Sequence, residues 1–383
     1  IRIYETDSHA RRLQARVLSC EEGENGWLVE LDRTIFYPTG GGQPCDTGTL
    51  GGADVTETLL RGETVLHRCT AALPVGADVT GEIDWARRLD LMQQHSGEHL
   101  VSGLIHARFG YENVGFHLGA DLVTIDFNGE VDEQALQELE RAANEAVWAD
   151  FVPHIWYPEP DELAHLPYRS KKALTGAVRL VQFGDIDLCA CCGTHVARTG
   201  EIGLIKLFST THFRGGSRIE MACGGRALAV LNALCAQNRD ISVRLSAKPV
   251  QTAAAVARLA SERTEAQQRA AALEDRLFAL LAQDGQTLRF EPPMPPESVR
   301  RLTDAMVRAN GARCAVFAGQ DGAWHYAMAD RDGDLRGLTK RLNAALQGRG
   351  GGKPGFVQGS LAASRADIEA FFTAESCSMP DPA

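Results

Sequence analysis

The sequence predicts an α+β protein made of several consecutive regions, and three changes of pattern along the chain indicate this organisation. Residues 1–85 alternate apolar and polar side chains between turn residues, which is typical of short strands. Beyond residue 85 apolar residues recur every three or four positions, which is typical of helices. A Pro-rich stretch, FEPPMPPES at 290–298, then separates a last small region. The chain has 383 residues, which is enough for two or three domains.

The first two regions are a strand-rich one and a mixed one. Residues 1–85 are predicted to form a small β-barrel, interrupted by the Gly-rich segment FYPTGGGQPCDTGTL at 36–50. A helix is predicted from Trp85 and should end at Gly110, because glycine favours helix C-termini. Strand-like segments such as DLVTIDF follow it. Residues 86–240 are therefore predicted to form an α/β domain.

Two further regions complete the chain. Residues 241–289 contain a stretch rich in Ala, Glu, Gln and Arg at 251–283, which predicts one long helix or a coiled-coil arm. Residues 290–383 predict a small C-terminal α/β domain. It holds a strand, CAVFAG, a helix near 335–347, and the Gly-rich segment GRGGGKPGFVQGS at 348–360.

Composition excludes several classes of protein. No apolar run approaches the roughly 20 residues that cross a bilayer, so no membrane partner is predicted. The N-terminus lacks the apolar core of a secretion signal, and we expect a cytoplasmic location. A net charge of −11 argues against indiscriminate binding of nucleic acid. Because the predicted barrel starts close to the first residue, we expect a free-standing protein rather than a fragment.

Two pairs of metal-binding side chains have the same spacing. HSGEH places His95 and His99 four residues apart, on one face of the predicted helix. CCGTH places Cys191 and His195 four apart. Imidazole nitrogen and thiolate sulfur are the donors that bind zinc tetrahedrally and select it over Mg²⁺ or Ca²⁺. The sequence therefore predicts one Zn²⁺ per chain, held by His95, His99, Cys191 and His195.

The same two motifs leave two alternatives open. Cys189 could replace Cys191 as the ligand, although we favour packing roles for Cys189 and Cys192. HSGEH also fits the H-x-x-E-H pattern of inverted zinc peptidases, with Glu98 as general base. The Cys-x-x-x-His pair makes a carboxylate ligand unnecessary, so the peptidase is the weaker hypothesis. Glu98 would otherwise be a solvent-facing helix residue.

The first Gly-rich segment is predicted to approach a ligand. Three consecutive glycines between two prolines exceed what a hairpin needs, and glycine allows close approach of the backbone. The loop carries four side chains that can form hydrogen bonds with a small polar substrate, namely Thr39, Gln43, Asp46 and Thr47.

Together these motifs resemble the editing domain of alanyl-tRNA synthetase and, more closely, its free-standing relatives, the AlaX-type alanyl-tRNA editing proteins. The resemblance rests on HSGEH, CCGTHVARTGEIG and FYPTGGGQPCDTG. GRGGGKPGFVQGS is similar to the Gly-rich signature of the C-terminal domain found in the synthetase and in long AlaX proteins. The resemblance therefore spans nearly the whole chain.

The resemblance implies a trans-editing hydrolase that removes a wrong amino acid, Ser or Gly, from the acceptor end of tRNA(Ala). It implies catalytic-site roles for Gln43, which lines the family's pocket, and for Thr47 beside it. Zinc would either activate water or position the substrate's amino group. The alternatives are a non-catalytic, zinc-stabilised tRNA-binding protein or synthetase fragment, and the zinc peptidase.

The tRNA contacts are predicted from local charge. FRGGSRIEMACGG is similar to a family segment with two arginines, but Ser217 replaces the first and Arg218 keeps the second. Cys192 likewise stands where the family usually has glycine. Basic residues also cluster in YRSKKALTGAVR at 168–179, and near the C-terminal Gly-rich segment as Lys340, Arg341, Arg349 and Lys353. There the backbone N–H groups of a glycine loop could meet phosphates. The 251–283 helix offers a route to a homodimer.

Overall fold

The computed structural model describes residues 1–170 and 176–377. The chain divides into two compact units, Ile1–Asp240 and Ile241–Ala383, and the division falls within one helix, Gly224–Arg244. The mixed α+β class is confirmed. The finer domain boundaries, after residues 85 and 289, stay a prediction.

The N-terminal strands form a closed six-stranded barrel, as predicted, with the order β1-β2-β5-β4-β3-β6. Along β1 the side chains of Leu13, Ala15 and Val17 are buried while their neighbours are exposed, so the alternation in the sequence marks the barrel's inward face. The strands are β1 (Arg12–Gly23), β2 (Gly26–Leu31), β3 (Gly48–Leu50), β4 (Ala53–Arg61), β5 (Thr64–Cys69) and β6 (Asp78–Ile83).

The first Gly-rich segment connects β2 to β3. Its tip is a tight turn, in which Gly40 and Gln43 exchange backbone hydrogen bonds of 3.1 and 2.9 Å. Gly41 and Gly42 have φ values of 58° and 83°, a left-handed region that favours glycine. A side chain on Gly42 would also collide with the ring of Phe116. The glycines are therefore needed to bring this turn against the rest of the unit.

Helix α1 (Trp85–Phe109) follows the barrel and begins and ends where its sequence indicates. The Asp84 side chain accepts a hydrogen bond from the Arg87 amide at 3.1 Å, which satisfies one of the free N–H groups of the first turn. Gly110 ends the helix in a left-handed conformation with φ of 70°. Most of α1 from Leu91 to Ser102 is buried, so it is the central helix of the first unit.

The rest of the first unit contains two small sheets and three more helices. One sheet has four antiparallel strands in the order β12-β13-β8-β7, and the other has the order β11-β10-β9. The apolar faces of α1 and α2 pack in one core with the four-stranded sheet. The elements are β7 (Asn113–Leu118), β8 (Val123–Phe127), α2 (Glu133–Trp148), β9 (His154–Trp156), α3 (Pro160–Leu163), β10 (Leu180–Phe183), β11 (Asp187–Ala190), β12 (Ile205–Phe213), β13 (Gly216–Cys223) and α4 (Gly224–Arg244).

The second unit contains a long helix and a five-stranded sheet with the order β14-β15-β16-β18-β17. The predicted 251–283 helix is confirmed as α5. Its elements are α5 (Thr252–Leu281), β14 (Leu288–Glu291), α6 (Pro296–Asn310), β15 (Cys314–Gln320), β16 (Ala323–Ala329), α7 (Arg336–Ala345), β17 (Arg349–Lys353), β18 (Phe356–Leu361) and α8 (Arg365–Cys377). Short 3₁₀ turns across the chain are Ile3–Glu5, Thr199–Ile202, Pro249–Gln251 and Ala282–Asp284.

The second Gly-rich segment is a strand hairpin and not the loop that the sequence suggested. Arg349–Lys353 pairs with Phe356–Leu361 as the exposed edge of the sheet. Gly350 and Gly352 lie against the backbone of β18 so closely that a Cβ would collide with it. The glycines therefore allow close strand pairing at this edge.

Among the described residues no helix combines the length and apolarity that a bilayer crossing requires.

Candidate metal centre

The two predicted pairs of donors meet in one cluster inside the first unit. One nitrogen each of His95, His99 and His195 and the Cys191 sulfur all lie within 4.8 Å of one another. Zinc–ligand bonds of about 2.0–2.3 Å would require the four atoms to draw slightly closer around a central ion. The structure thus brings together all four residues that the sequence selected.

The two pairs come from elements of different kind. His95 and His99 lie one turn apart on α1, and their ring centroids are 5.3 Å apart. Cys191 and His195 lie on an irregular segment after β11. Gly193 lies between them, where any side chain would collide with the His95 ring. The glycine in CCGTH is therefore required for the loop to approach the helix.

Each of the three rings is held through its Nδ1 atom. His95 Nδ1 donates to Gln43 Oε1 at 2.8 Å, and His99 Nδ1 donates to Asp187 Oδ2 at 2.7 Å. His195 Nδ1 lies 3.2 Å from Ser96 Oγ. His95 Nε2 lies 3.4 Å from the Cys191 sulfur. Metal-binding histidines are typically fixed in this way, with the second ring nitrogen left for the ion.

One buried atom in the cluster lacks a partner, and this supports the fit to a cation. His195 Nε2 is fully enclosed and has no hydrogen-bond partner in the part of the chain that the structure describes. A buried polar atom without a partner is costly unless a ligand satisfies it. Together with three imidazoles and one thiol, this orphaned nitrogen fits a site that could hold a metal ion.

Electrostatics favour the metal-binding form of two ligands. Burial raises the pKa of the Cys191 thiol, but the imidazoles of His95 and His195 outweigh burial and hold the pKa well below its ordinary value. Burial lowers the pKa of His195 to about 3, so this ring is neutral. Burial also lowers the pKa of His99, but the hydrogen bond to Asp187 outweighs it and raises the pKa to about 10. A cation would displace a proton from that ring.

The other cysteines of the cluster region have separate environments. Cys189 is buried next to Asp187 and His99, and burial raises the pKa of its thiol above the usual range. Cys192 is exposed, with its sulfur 3.9 Å from the Tyr37 hydroxyl. Cys191 is therefore the cysteine that joins the two rings of α1 and His195.

A cavity of about 710 Å³ opens beside the cluster. This volume lies within the range of about 300–1,000 Å³ that small-molecule sites usually have. His95, His99 and Cys191 form part of its wall. The tip of the first Gly-rich segment, Gly41 and Gly42, also lines it. The arrangement can hold a polar ligand against a bound cation.

The predicted loop residues lie behind the cavity wall. Gln43 is buried and accepts from the Thr194 amide at 3.1 Å, and its amide group donates to Thr194 Oγ1 at 2.7 Å. Together with its contact to His95, it joins the loop to both pairs of donors. Thr47 uses its carbonyl to accept from the Asp84 amide, and neither Thr47 nor Thr39 lines the cavity. Gln43 can thus act through His95, whereas Thr47 belongs neither to the donor cluster nor to the cavity wall among the described residues.

Asp46 anchors the same loop to α1. Its carboxylate is fully buried and pairs with the fully buried Arg88, which also donates to the carbonyls of Ser8 and Ile35 at 2.7 Å. Asp46 Oδ2 also accepts from the Tyr37 amide at 2.6 Å. The sequence could have indicated the buried position of Arg88, because Arg88, Met92, His95 and His99 share one helical face.

The expectation that Glu98 faces solvent is wrong. Glu98 is only 3 % exposed and lines the cavity. Its Oε1 accepts from Ser102 Oγ at 2.7 Å and from the amide group of Asn113 at 2.5 Å. Each residue of a helix is rotated by about 100° from the one before, so Glu98 does not share the face of His95 and His99. It is nevertheless buried, because nearly all sides of α1 are covered between Leu91 and Ser102.

Arg169 and Arg179, two arginines of the basic 168–179 stretch, lie in the cavity wall, a position that the sequence did not predict. Arg169 donates through Nε to Asp187 Oδ1 at 2.8 Å. Arg179 Nη1 donates to the carbonyls of Cys191 and Gly193 at 2.9 and 3.0 Å and so holds the turn between two donors. The period-two spacing of Asp187, Cys189 and Cys191 indicates that these three side chains share one face. The basic composition of 168–179 marked the two arginines as charged, but it did not indicate that they face the metal-binding cluster.

The predicted RNA-binding side chains differ in their surroundings. The guanidinium carbon of Arg218 lies 3.8 Å from the centre of the Phe213 ring, and the guanidinium donates to both carboxylate oxygens of Asp126. Arg341, in the second unit, is paired with Glu375. Three further predicted residues of that unit are exposed, namely Lys340, Arg349 and Lys353. In the 168–179 patch, Lys171 and Lys172 lie outside the described residues.

Two family descriptions match parts of the first unit. Residues 178–220, which include Cys191 and His195, match the family described as "Threonyl and Alanyl tRNA synthetase second additional domain". Residues 7–87, which cover the barrel, match the family described as "tRNA synthetases class II (A)".

Curated relatives extend the similarity to most of the chain. The alanyl-tRNA editing protein Aarsd1 of Danio rerio is 26% identical over 391 residues, which is 95% of each chain. The chain is therefore similar to proteins named as alanyl-tRNA editing proteins. The editing protein AlaX-L of Pyrococcus horikoshii is 32% identical over 60% of each chain. The alanine–tRNA ligase of Pyrococcus abyssi is 29% identical over 94% of this chain but only 42% of the ligase.

The matched region spans about 60% of the length of the AlaX-L protein and nearly all of Aarsd1. Among solved structures, the C-Ala domain from Aquifex aeolicus alanyl-tRNA synthetase matches 23% of this chain and 87% of that domain. That match has 18% identity and a TM-score of 0.21, too low to establish a shared fold.

Proposed function

We propose that this protein is a trans-editing hydrolase that deacylates mischarged tRNA(Ala), with Ser-tRNA, Gly-tRNA or both as substrate. The observation that carries the proposal is the convergence of four metal-binding side chains, three of which line a cavity large enough for an aminoacyl end. The similarity to proteins named as alanyl-tRNA editing proteins supports the substrate class.

We propose Zn²⁺ as the metal, one ion per chain, held by His95, His99, Cys191 and His195. Three imidazoles and one thiolate are the donor set that suits zinc better than hard cations. A zinc ion here would polarise the scissile ester or bind the free amino group of the amino acid. Four protein ligands leave little room for a metal-bound water, and this favours the positioning role.

The chain's own residues would supply orientation and exclusion of water. Gln43 and Asp187 hold the His95 and His99 rings, which fixes the direction of the site. Gly41 and Gly42 present backbone without side chains at the cavity wall, so an aminoacyl group can approach closely. Thr47 and Thr39 lie outside the wall, so the recognition of a serine hydroxyl would fall to other groups.

Deacylation assays with Ser-, Gly- and Ala-charged tRNA(Ala), paired with metal analysis, test the proposal. We expect hydrolysis of a mischarged species, sparing of Ala-tRNA, and loss of activity on chelation. Cys191→Ala should lose both metal and activity. Cys235→Ala, at an exposed cysteine of α4, is the matched control and should keep both.

Two outcomes would favour the alternatives. Binding of tRNA without hydrolysis would indicate a non-catalytic tRNA-binding protein. Cleavage of peptides that depends on Glu98 would indicate a zinc peptidase, although Ser102 and Asn113 already engage one oxygen of that carboxylate.

We propose that the exposed Lys340, Arg349 and Lys353 contact the tRNA backbone. They lie on one short stretch of the second unit, where β17 is an edge strand without side chains at its three glycines. Phosphate contacts of this kind weaken with added salt. Arg341 and Arg218 are weaker candidates, because Glu375 and Asp126 already pair with them.

We propose that α5 pairs with a second copy of the chain. Its outward residues follow a heptad spacing of three and four. Each large apolar one is at least half exposed. The positions are Val256, Leu259, Arg263, Ala266, Ala270, Leu273, Leu277 and Leu280.

The charges favour an antiparallel pair. In that arrangement Glu262 faces Arg276 of the partner subunit, and Arg263 faces the partner's Leu273. A parallel pair would instead place Arg263 against its own copy, which is repulsive. Light scattering should report a dimer for the wild type and a monomer for Leu273→Glu/Leu277→Glu. A wild-type monomer at micromolar concentration would refute this pairing.

The cytoplasmic location stays a prediction.

A further inference from the structure

One arginine of the cavity wall has hydrogen-bonding capacity that the described protein residues do not use. Arg169 carries five N–H donors, and among the described residues only its Nε–H has a partner, Asp187 Oδ1 at 2.8 Å. Its two terminal amino groups have no hydrogen-bond partner within residues 1–170 and 176–377. The side chain is only 10% exposed and lines the cavity. A mostly buried guanidinium with free donors at a cavity wall is suited to an anion.

The other described arginines of this wall differ from Arg169. Arg2 donates through one terminal amino group to Glu5 and through the other to Glu63. Arg179 uses Nη1 on two backbone carbonyls and directs Nη2 to the Glu5 carbonyl. The guanidinium end of Arg169 is therefore the part of the described cavity wall that can grip an anionic group by two parallel hydrogen bonds.

The position of Arg169 selects the kind of anion. It reaches the metal-binding cluster only indirectly, because Asp187 lies between its Nε and the Nδ1 of His99. A group bound by Arg169 is thus separated from the cluster by a carboxylate and an imidazole ring. In an aminoacyl nucleotide the ester and the nearest phosphate are likewise separated, by the ribose and its C5′ methylene.

We propose that the terminal amino groups of Arg169 bind the phosphodiester on the 5′ side of the terminal nucleotide, while the ester lies at the His/Cys cluster. This inference rests on the proposed function and names the substrate group that one residue recognises. Arg169 also holds Asp187, which holds His99, so the same side chain links the RNA backbone to the metal ligands.

Binding of two RNA hairpins, one with and one without the charged phosphate, to the full-length wild type and to Arg169→Gln tests the contact. The probes are an uncharged RNA hairpin with the acceptor stem of tRNA(Ala) ending in CCA, and the same hairpin with a neutral methylphosphonate at its last linkage. We expect the wild type to bind the second hairpin about tenfold more weakly, since a charge-assisted hydrogen bond is lost. Arg169→Gln should bind the first hairpin about tenfold more weakly and should not discriminate between the two.

Controls separate this contact from general damage. Arg12→Gln, at an exposed arginine paired with Glu82, should keep the wild-type discrimination. Metal content of Arg169→Gln reports whether the cluster is intact. Arg169→Lys retains the charge beside Asp187 but not the two-pronged donor, so its discrimination should lie between those of Arg169→Gln and the wild type.

The outcomes are distinguishable. Full discrimination by Arg169→Gln or by Arg169→Lys would overturn the inference and leave the proposed function standing. Failure of the wild type to bind either hairpin would instead count against the proposed function. A salt dependence of binding that is unchanged in Arg169→Gln would also contradict the contact, since one lost phosphate contact should reduce the slope by about 0.7.

Discussion

The two halves of the metal-binding cluster have the same sequence spacing but different structural support. His95 and His99 are brought together by one turn of α1, and the helix fixes their separation by itself. Cys191 and His195 are also four residues apart, yet they lie on a loop. Other segments hold that loop, through Arg179, Gln43 and Ser96. Equal spacing therefore does not mean equal rigidity.

This difference has a consequence for stability and metal binding. Changes that free the helix half from the barrel should lower the stability of the whole first unit, because α1 is its central helix. Changes that free the loop half should lower metal affinity and leave the helix intact. The four predictions below probe this contrast, beginning with the largest effect.

Asp46→Ala should produce the largest loss, because it leaves the fully buried Arg88 of the helix half without its carboxylate. Breaking a buried ion pair in this way costs about 3–5 kcal/mol in the free energy of unfolding. Chemical denaturation measures it. Asp78→Ala removes an exposed pair with Arg16 and should cost less than about 1 kcal/mol. Equal losses in the two variants would show that Arg88 does not anchor α1.

Acid should weaken the barrel on which both halves rest. Burial lowers the pKa of His67 to about 4, from an ordinary value of 6.5. Between these values the unfolded chain takes up a proton that the folded barrel does not, so stability falls as the pH drops from 6.5 towards 4. The expected contribution is about 3 kcal/mol.

The comparison of wild type with His67→Gln isolates this effect in denaturation curves at several pH values. The variant loses the hydrogen bonds of the ring to Val29 and Thr34, so it should be less stable at neutral pH. Its stability should nevertheless change less with acid. Identical slopes below pH 6.5 would mean that His67 is not the group responsible.

Arg179→Met should act on the loop half. It removes the two donors that hold the carbonyls of Cys191 and Gly193. Loss of a supporting contact around a metal ligand typically reduces metal affinity by about 10–100-fold. Chelator competition measures the affinity, and amide hydrogen exchange should show α1 still protected.

The matched control for this change is Arg198→Met, which removes an exposed pair with Asp150. Its metal affinity should equal that of the wild type. If α1 lost protection together with the loop in Arg179→Met, the two halves would not be independent.

Ser96→Ala should have the smallest effect and reports on the junction of the halves. Ser96 lies on α1, accepts from the Val196 amide at 3.2 Å and contacts His195 Nδ1 at the same distance. We expect a loss of about 1 kcal/mol in stability, with a small loss of metal affinity. Ser209→Ala, which removes a hydrogen bond from Ser209 of β12 to Glu220 of β13, is the control for stability. A metal affinity unchanged from the wild type would mean that Ser96 does not orient His195.

Local patterns predicted most of the architecture. The barrel followed from alternation along strands, α1 from its apolar spacing and its Gly110 terminus, and α5 from three-and-four spacing. The four metal-binding residues followed from two short motifs, because donor type and spacing are properties of the sequence. The second Gly-rich segment was wrongly expected to be a loop, since glycine permits both states and only pairing with β18 decides between them.

By itself the sequence determined the strands of the barrel, the length of α1 and the identity of the four donors, since each depends on neighbours within a few residues. Only the tertiary structure decided the buried pair of Arg88 and Asp46, the burial of Glu98, and the cavity-facing position of Arg169. The tertiary structure also places Gln43 behind His95 and Thr47 outside the cavity wall. These features join segments distant along the chain, and their energies arise when folding removes water from around charged and polar groups.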